Sequence, residues 1–558
     1  MTTKAIPVGY EDFQEIIERN CYFVDKSNLI KELIDSQSKV VLFTRPRRFG
    51  KTLNQSMLRY FFEKTDNDTS SLFQGLKISG YDGKYMKYQG QYPVISVTFK
   101  SIHRNTFDDS LFEFKNIIRN EFIRHISILE SDALLGSEKK MFNAIVNDEA
   151  ELNSFITGLS FLSSCLKKVY QQDVIILIDE YDVPLESAYF HGFYSEMVDL
   201  IRSTFEKVLK TNSDLHMAVL TGCLRISKES IFTGLNNLDV YDVTNEQFSQ
   251  YFGFTTDEVQ KLLSDYDIPE HEAHIKEWYD GYLFGTTEIY NPFSVVCYVN
   301  RRISNDPNPA QKYWSNTSAN NIVKELASKC NDETREQLEL LTNGTELEKP
   351  IYKDLTYGDL ESVNSEQIWS HLLFTGYLKQ KYNPETDKYI LTIPNKEVRD
   401  VYIKTIKEAF KERLDSNSRD DLFRAILEKD TATAMTIIND WIYEAISYHD
   451  EKESFYHGTM LGLLSGWKGY KLESNREAGT GRFDLMLYDA KRRSIGIAFE
   501  FKLAASFDDM DAKIDEALHQ IQEMDYTQFF RSRDISNIIR YGVAFCNKRC
   551  KMKVIAGE

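Results

Sequence analysis

At 558 residues, 42% hydrophobic and 27% charged, the chain exceeds a single hydrophobic core and has the composition of a folded, multidomain protein. A formal net charge of −18 argues against a surface coated in nucleic acid and leaves only local basic patches for such contact. No apolar run approaches the length of a bilayer crossing.

Seven scattered cysteines (Cys21, Cys165, Cys223, Cys297, Cys330, Cys546 and Cys550) fit reduced thiols better than a disulfide framework. Cys546 and Cys550 have no second pair nearby to complete a zinc site. With no signal-like apolar segment after Met1, a cytoplasmic protein without membrane attachment is expected.

In chain order, the first strong feature is Val40-Val41-Leu42-Phe43-Thr44, a strand-like run entering Arg45-Pro46-Arg47-Arg48-Phe49-Gly50-Lys51-Thr52 and then a helical stretch. That order matches a phosphate-binding loop. Gly50 lets the backbone approach an anion, amides at the helix N-terminus face it, Lys51 reaches the outer phosphates, and the Thr52 hydroxyl suits magnesium. The usual first glycine is replaced by Arg45, and Pro46 biases it toward an extended conformation. Arg47 and Arg48 are candidates to supply charge that the backbone amides do not.

Further strands are expected at 94–99, 174–179 and 216–221, separated by amphipathic helical stretches, which gives an α/β core over 1–245. The apolar run Val174 to Ile178 ends in Asp179-Glu180-Tyr181-Asp182. An aspartate at such a strand tip suits magnesium beside Thr52, and Glu180 suits activation of the attacking water. Thr221, at another strand tip, is a candidate γ-phosphate sensor, with Arg225 beyond it as a charge stabiliser.

From 246 to 350 the pattern turns helical and rich in Tyr, Trp and Asn, as a lid beside the nucleotide would be. Over 351–418, helices precede two strand-like runs, Gly376-Tyr377-Leu378 and Tyr389 to Ile393, around the turn cluster Asn383 to Asp387. That layout suits either a winged-helix module or an ordinary packing domain. The polar run Asp415 to Asp420 suggests a boundary before a last domain, 419–558.

That last domain carries Gly481-Arg482-Phe483-Asp484, a turn at Asp489 to Arg493, and Ile495 to Lys502. On a strand, Glu500 and Lys502 share a face and Phe499 and Phe501 take the other. Asp484 and Glu500 suit magnesium at a scissile phosphate, and Lys502 suits orientation of the attacking water. A charged hairpin of a half-buried sheet would show the same alternation. Glu453, His457 and Glu477 are insecure additional ligands, and Gln520 is a further polar candidate on the following helix. Arg45 to Arg48, Lys491-Arg492-Arg493 and Lys548 to Lys551 are basic patches of a kind that is more often a solvated turn than a nucleic-acid contact.

The strings Phe43 to Thr52, Ile178 to Asp182 and Phe232 to Asn237 resemble the bacterial predicted AAA-ATPase-like family, as do Tyr279 to Tyr282, Ile289 to Pro292 and Tyr313 to Ser318. The tail, with Phe455-Tyr456-His457-Gly458, Gly481 to Asp484 and Glu500-Phe501-Lys502, is similar to PD-(D/E)XK nuclease domains. The resemblance implies a P-loop AAA-like ATPase core with a lid, then a PD-(D/E)XK nuclease-like α/β domain. It also makes the absent first glycine a family trait. ATP and magnesium are the expected cofactors and DNA the expected partner. A homo-oligomer is compatible, because a neighbouring copy can donate the charge-stabilising arginine. The alternative is a nucleotide-gated switch or scaffold that grips DNA or a protein without cutting.

Overall fold

The computed structural model describes residues 4–210, 212–225, 231–232, 237–314, 332–342, 344–355, 357, 366–402, 416–445, 453–465, 467, 469–474, 477–478, 481–491, 494–523, 527–546 and 549–556. The chain divides into two compact units, Met1–Thr405 and Ile406–Glu558. Of the features above, Cys330, Asp415 and residues 233–236, 315–318, 492–493 and 548 lie outside the described residues.

The first unit is built on five parallel strands, β1 (Val40–Thr44), β2 (Val94–Thr98), β3 (Val174–Asp179), β4 (Leu215–Gly222) and β5 (Leu238–Tyr241). Their spatial order is β2-β3-β4-β1-β5. Every residue of β1 and β3 is buried, which is why both read as unbroken apolar runs. The first four strands fall where the sequence places them. β5 escapes that reading because it is a short edge strand, only partly buried and carrying Asp239. Since β4 lies between β1 and β3, its tip at Thr221 falls between the phosphate-type loop and Asp179.

The segment expected to be helical contains helices Thr256–Asp265, Glu272–Tyr279 and Pro292–Ile303, but also a small antiparallel sheet. Its strands are β6 (Phe254–Thr255), β7 (Tyr282–Phe284) and β8 (Thr287–Tyr290), in the order β6-β8-β7. Further on, β9 (Leu347–Lys349) comes before helix Gln367–Phe374, β10 (Lys379–Asn383) and β11 (Lys388–Thr392) follow it, and the three strands form an antiparallel ribbon ordered β10-β11-β9. The strand expected from Gly376 begins instead at Lys379. Gly376, at φ 90°, ends the helix, and the Tyr377 and Leu378 amides donate back to the Leu372 carbonyl at 2.8 and 3.2 Å. Their apolar side chains are buried under a helix cap, not in a strand.

In the second unit, helices Ser416–Glu428, Thr431–Ala445 and Glu453–Leu464 precede a five-stranded sheet. The polar run read as a boundary therefore opens a helix at Ser416. The chain adds β12 (Tyr470–Ser474), the small ladder of β13 (Glu477–Ala478) and β14 (Gly481–Arg482), then β15 (Leu485–Asp489), β16 (Gly496–Leu503), β17 (Ile538–Cys546) and β18 (Arg549–Ala556). The sheet order is β12-β15-β16-β17-β18, with β16 and β17 parallel and the other pairs antiparallel. Helix Met510–Glu523 lies in the crossover that this parallel pair requires. Phe499 and Phe501 pack with Leu422, Ile438 and Met460, while Ala498 joins Ile514 and Ile521 on the opposite face.

In the first unit, the loop after β1 is clasped by distant chain. Arg45 is fully buried, with its guanidinium 5.2 Å from the Phe252 ring centre and 5.1 Å from that of Phe284. It donates to the carbonyls of Thr44 (2.9 Å) and Tyr241 (2.7 Å). Burial pulls its pKa down to about 10, against the opposing pull of Asp242. A Cβ on Gly376 would sit 2.7 Å from the Pro46 side chain, so only glycine permits this approach. Trp314 Nε1 donates to the Arg47 carbonyl at 3.3 Å. Glu397, 1% exposed, accepts from Trp314 N (2.6 Å) and Ser294 Oγ (2.8 Å).

Arg45→Gly, which restores the common loop pattern, removes the side chain filling the gap between Phe252 and Phe284. It is expected to lower stability by about 3 kcal/mol in urea unfolding, whereas Arg45→Met, which keeps the volume, stays within about 1 kcal/mol of the parent. Equal stability of all three proteins would refute a packing role for Arg45.

Burial also raises the Glu397 carboxyl to about 7 from its ordinary 4.5, against the hydrogen bonds that favour its charged form. Between those values the folded chain binds the extra proton, so stability falls as pH rises through the window, by on the order of 3 kcal/mol. Glu397→Gln can accept from Trp314 N and donate to Ser294 Oγ. Its melting temperature relative to the parent should therefore rise from pH 5 to pH 8, and parallel curves would contradict the assignment.

Candidate functional site

At the N-terminal centre, the loop after β1 leaves the sheet with Arg45 N still bonded to the Gly222 carbonyl at 3.0 Å. It then curls through two left-handed residues, Arg48 (φ 66°) and Gly50 (φ 81°). Gly50 caps helix Lys51–Phe62, and no atom lies within 4 Å of where its Cβ would be. Its requirement is conformational, not steric. Lys51 Nζ folds over the loop and donates to the carbonyls of Arg45 and Pro46, both at 3.0 Å. Burial works against the Lys51 ammonium, but Cys223, Glu180, Asp182 and Asp179 together hold its pKa above the ordinary lysine value.

Asp179 joins three elements. Its Oδ2 accepts from Thr52 Oγ1 at 2.8 Å and its Oδ1 from Thr221 Oγ1 at 2.5 Å. Thr221 Oγ1 in turn accepts from the Glu180 amide at 3.3 Å. Glu180 sits in the left-handed region at φ 52°, an uncommon conformation for a residue with a side chain. Burial raises the pKa of its carboxyl, with Lys51 opposing. Asp182 Oδ2 accepts from the amides of Cys223 (2.7 Å) and Leu224 (3.0 Å), so it holds the chain leaving β4.

Lys51, Thr52, Gly50 and Glu180 open onto a cavity of about 650 Å³. Its lining also includes the apolar and aromatic side chains of Ile6, Tyr22, Phe23, Tyr251, Phe254 and Phe293 and the charged ones of Glu11, Lys26 and Lys100. A lining that combines charged groups with aromatic and aliphatic side chains suits a ligand with an anionic part and a flat, hydrophobic part.

The three arginines read as candidates, Arg47, Arg48 and Arg225, separate in the structure, and so does their neighbour Arg45. Arg45 packs inward, as described above. Arg47 lines the cavity and is ion-paired with Glu186 on helix Val183–His191. Arg48 also borders the cavity, but its guanidinium lies 3.9 Å from the Phe293 ring centre and donates to the Tyr313 carbonyl at 2.7 Å. Arg225 faces Asp354 at 3.5 Å. Glu186 was invisible to sequence reasoning, because a glutamate one turn into a helix carries no signal of its own. Asp182 was detectable only as the last acid of its motif.

At the C-terminal centre, the ladder pairing Leu485 with Phe499 places Asp484 beside Glu500. Asp484 Oδ2 accepts from the Phe501 amide at 2.8 Å. Glu500 is buried, and Lys502, two residues along the same face, brings Nζ within 3.4 Å of Glu500 Oε1. Lys502 also donates to Gln520 Oε1 at 2.6 Å from helix Met510–Glu523. His457 Nε2 lies 3.0 Å from the Asp484 carbonyl oxygen. The tail trio therefore converges, Gln520 joins it, and His457 contacts its backbone. Among the described residues, no group of three His, Cys, Asp or Glu forms a metal cage. The Asp484 and Glu500 carboxylates nevertheless fit magnesium, which takes one or two carboxylates and retains water. Thr52 and Asp179 offer the same hard oxygen chemistry at the first centre.

Residues 7–232 match the family described as predicted AAA-ATPase, and residues 451–554 match the PD-(D/E)XK nuclease superfamily. The chain is also 24% identical over 330 residues to an uncharacterized protein in the vnfD 5′ region of Azotobacter chroococcum mcd 1. That alignment covers 58% of this chain and 56% of the relative's length. Strands β1 to β4 with the loop after β1 fall within the first matched segment, and Asp484, Glu500 and Lys502 fall within the second, so the chain carries a predicted AAA-ATPase domain and, at its C-terminal end, a domain of the PD-(D/E)XK nuclease superfamily.

Proposed function

We propose that the N-terminal centre binds and hydrolyses ATP and that the C-terminal centre cleaves DNA, each with magnesium. The observation supporting the first half most directly is the Asp179 carboxylate shared between the hydroxyls of Thr52 and Thr221, at the mouth of a loop closed by Lys51. In this reading Lys51 and the amides after Gly50 hold the phosphates, Thr52 and Asp179 hold the cation, Thr221 senses the outer phosphate, and Glu180 takes the proton of the attacking water. The raised pKa of Glu180 makes it a better base than an ordinary carboxylate. Bound magnesium would neutralise charge on the phosphate oxygens at both centres.

At the second centre Asp484 and Glu500 would hold the cation, and Lys502 would orient the attacking water and offset charge on the scissile phosphate, with Gln520 fixing the lysine. We assign residues 246–350 the role of a lid over the nucleotide and 351–418 that of a winged-helix-like module. A cytoplasmic protein that assembles into homo-oligomers fits the same reading. Among the described residues, no helix is long and apolar enough to cross a membrane.

Two variants of the full chain test the halves separately. Lys51→Ala should weaken binding of a fluorescent ATP analogue by at least about 100-fold, and unchanged binding would refute the nucleotide site. Lys502→Ala should slow magnesium-dependent, single-turnover cleavage of supercoiled and linear DNA by about 10²- to 10³-fold. Cleavage at the parent rate, or no cleavage by the parent itself, would refute the nuclease.

A further inference from the structure

Resting on the ATPase reading above, we propose that Arg47, held in place by Glu186, is the charge-stabilising arginine of the N-terminal centre and is supplied in cis. Phosphoryl transfer from ATP needs a cation that meets charge developing on the γ-phosphate oxygens, and P-loop enzymes draw it either from a neighbouring molecule or from their own chain. Of the four arginines Arg45, Arg47, Arg48 and Arg225, the cavity is lined by Arg47 and Arg48 and not by Arg45 or Arg225. Arg45 is enclosed by Phe252 and Phe284, Arg48 stacks on Phe293 and bonds the Tyr313 carbonyl, and Arg225 faces Asp354. Arg47 shares the cavity wall with Gly50, Lys51, Thr52 and Glu180.

Its partner makes it a fixed cation and not a wandering one. Glu186 is 7% exposed and stands on helix Val183–His191, which begins three residues after Glu180. The group proposed as general base and the anchor of the arginine are therefore positioned by one stretch of chain. The Arg47 carbonyl is held separately by Trp314 Nε1. A guanidinium has five N–H donors, and the contact with Glu186 through one terminal nitrogen leaves others for phosphate oxygens. Burial opposes the Arg47 charge, but Glu186, with Cys223, Tyr357 and Asp182, holds its pKa above the ordinary arginine value.

In the reaction, the water oxygen bonds to the γ-phosphorus, the bond from that phosphorus to its bridging oxygen breaks, and ADP keeps the electron pair. The water proton passes to Glu180. Arg47 stays protonated throughout and forms no covalent bond. Glu186 is a positioning residue in this scheme.

The test uses full-length protein and two readouts, ATP turnover and the affinities for ATP and ADP. Arg47→Ala should lower kcat by about 10³-fold. It should also weaken ATP binding several-fold and leave ADP affinity unchanged, because the lost contact is to the terminal phosphate. Arg47→Lys should recover part of the turnover. Glu186→Gln, which keeps a hydrogen-bond acceptor, should reduce kcat less than Arg47→Ala, with ADP affinity again unchanged. Mixing Arg47→Ala with Lys51→Ala protein should restore nothing, since each copy carries its own arginine. Turnover and ATP affinity of Arg47→Ala near those of the parent would overturn the assignment, as would restored turnover in the mixture. A parent that binds neither nucleotide would instead fail the ATPase reading itself, and this inference with it.

Discussion

The N-terminal unit depends on one carboxylate. Asp179 accepts a hydroxyl from Thr52 on the helix after β1 and another from Thr221 at the end of β4. An ionised aspartate that is nearly buried is costly unless its lone pairs are used, and two hydroxyl donors use them. The same contacts tie the tips of β3 and β4 to the helix that follows β1. Each threonine is also held at a definite angle to the loop before any ligand arrives, and a site arranged in advance spends less of its binding energy on ordering side chains.

The two centres solve the problem of placing charge in different ways. In the first unit, the groups come from loops at the C-terminal ends of parallel strands, so their convergence depends on strand order, with β4 between β1 and β3. In the second unit, Glu500 and Lys502 come from one strand, and their relation is set by the two-residue repeat of the β conformation. Asp484 is brought in by antiparallel pairing with that strand and locked onto the Phe501 amide. Phe499 and Phe501, on the reverse face, anchor the strand in the core, so the pattern that buries the aromatics also presents the charges.

This difference explains what was legible beforehand. Strands β1 and β3 were visible because burial on both faces imposes unbroken apolar runs, and the acids ending β3 marked its tip. Glu500 and Lys502 were visible because the period is local. Contacts made across the chain left no trace: nothing in the neighbourhood of Arg45 announces Tyr241, Phe252 or Phe284, and nothing near Arg47 announces Glu186. Gly376-Tyr377-Leu378 was read as a strand because buried apolar residues look alike in a helix cap and in a sheet. β5 was missed because an edge strand of four residues needs little hydrophobicity to pair on one side.

The string Arg45-Pro46-Arg47-Arg48-Phe49-Gly50 is better understood as five attachments and a turn than as a defective glycine-rich loop. Arg45 points into an aromatic cage, Pro46 abuts Gly376, Arg47 pairs with Glu186, Arg48 lies on Phe293, and Phe49 packs edge-on against Tyr282 at 4.9 Å between ring centres. A glycine-rich loop is free to reshape around phosphate because few side chains tether it. This loop is tethered at every residue before the turn, and the tethers lead to β7, to the helix that starts at Pro292 and to the end of helix Gln367–Phe374. Close-packed contacts of this kind do not stretch; they shift together or stay in place. Any movement of the loop would therefore be carried into β7, the helix that starts at Pro292 and the end of helix Gln367–Phe374, against which its side chains are packed.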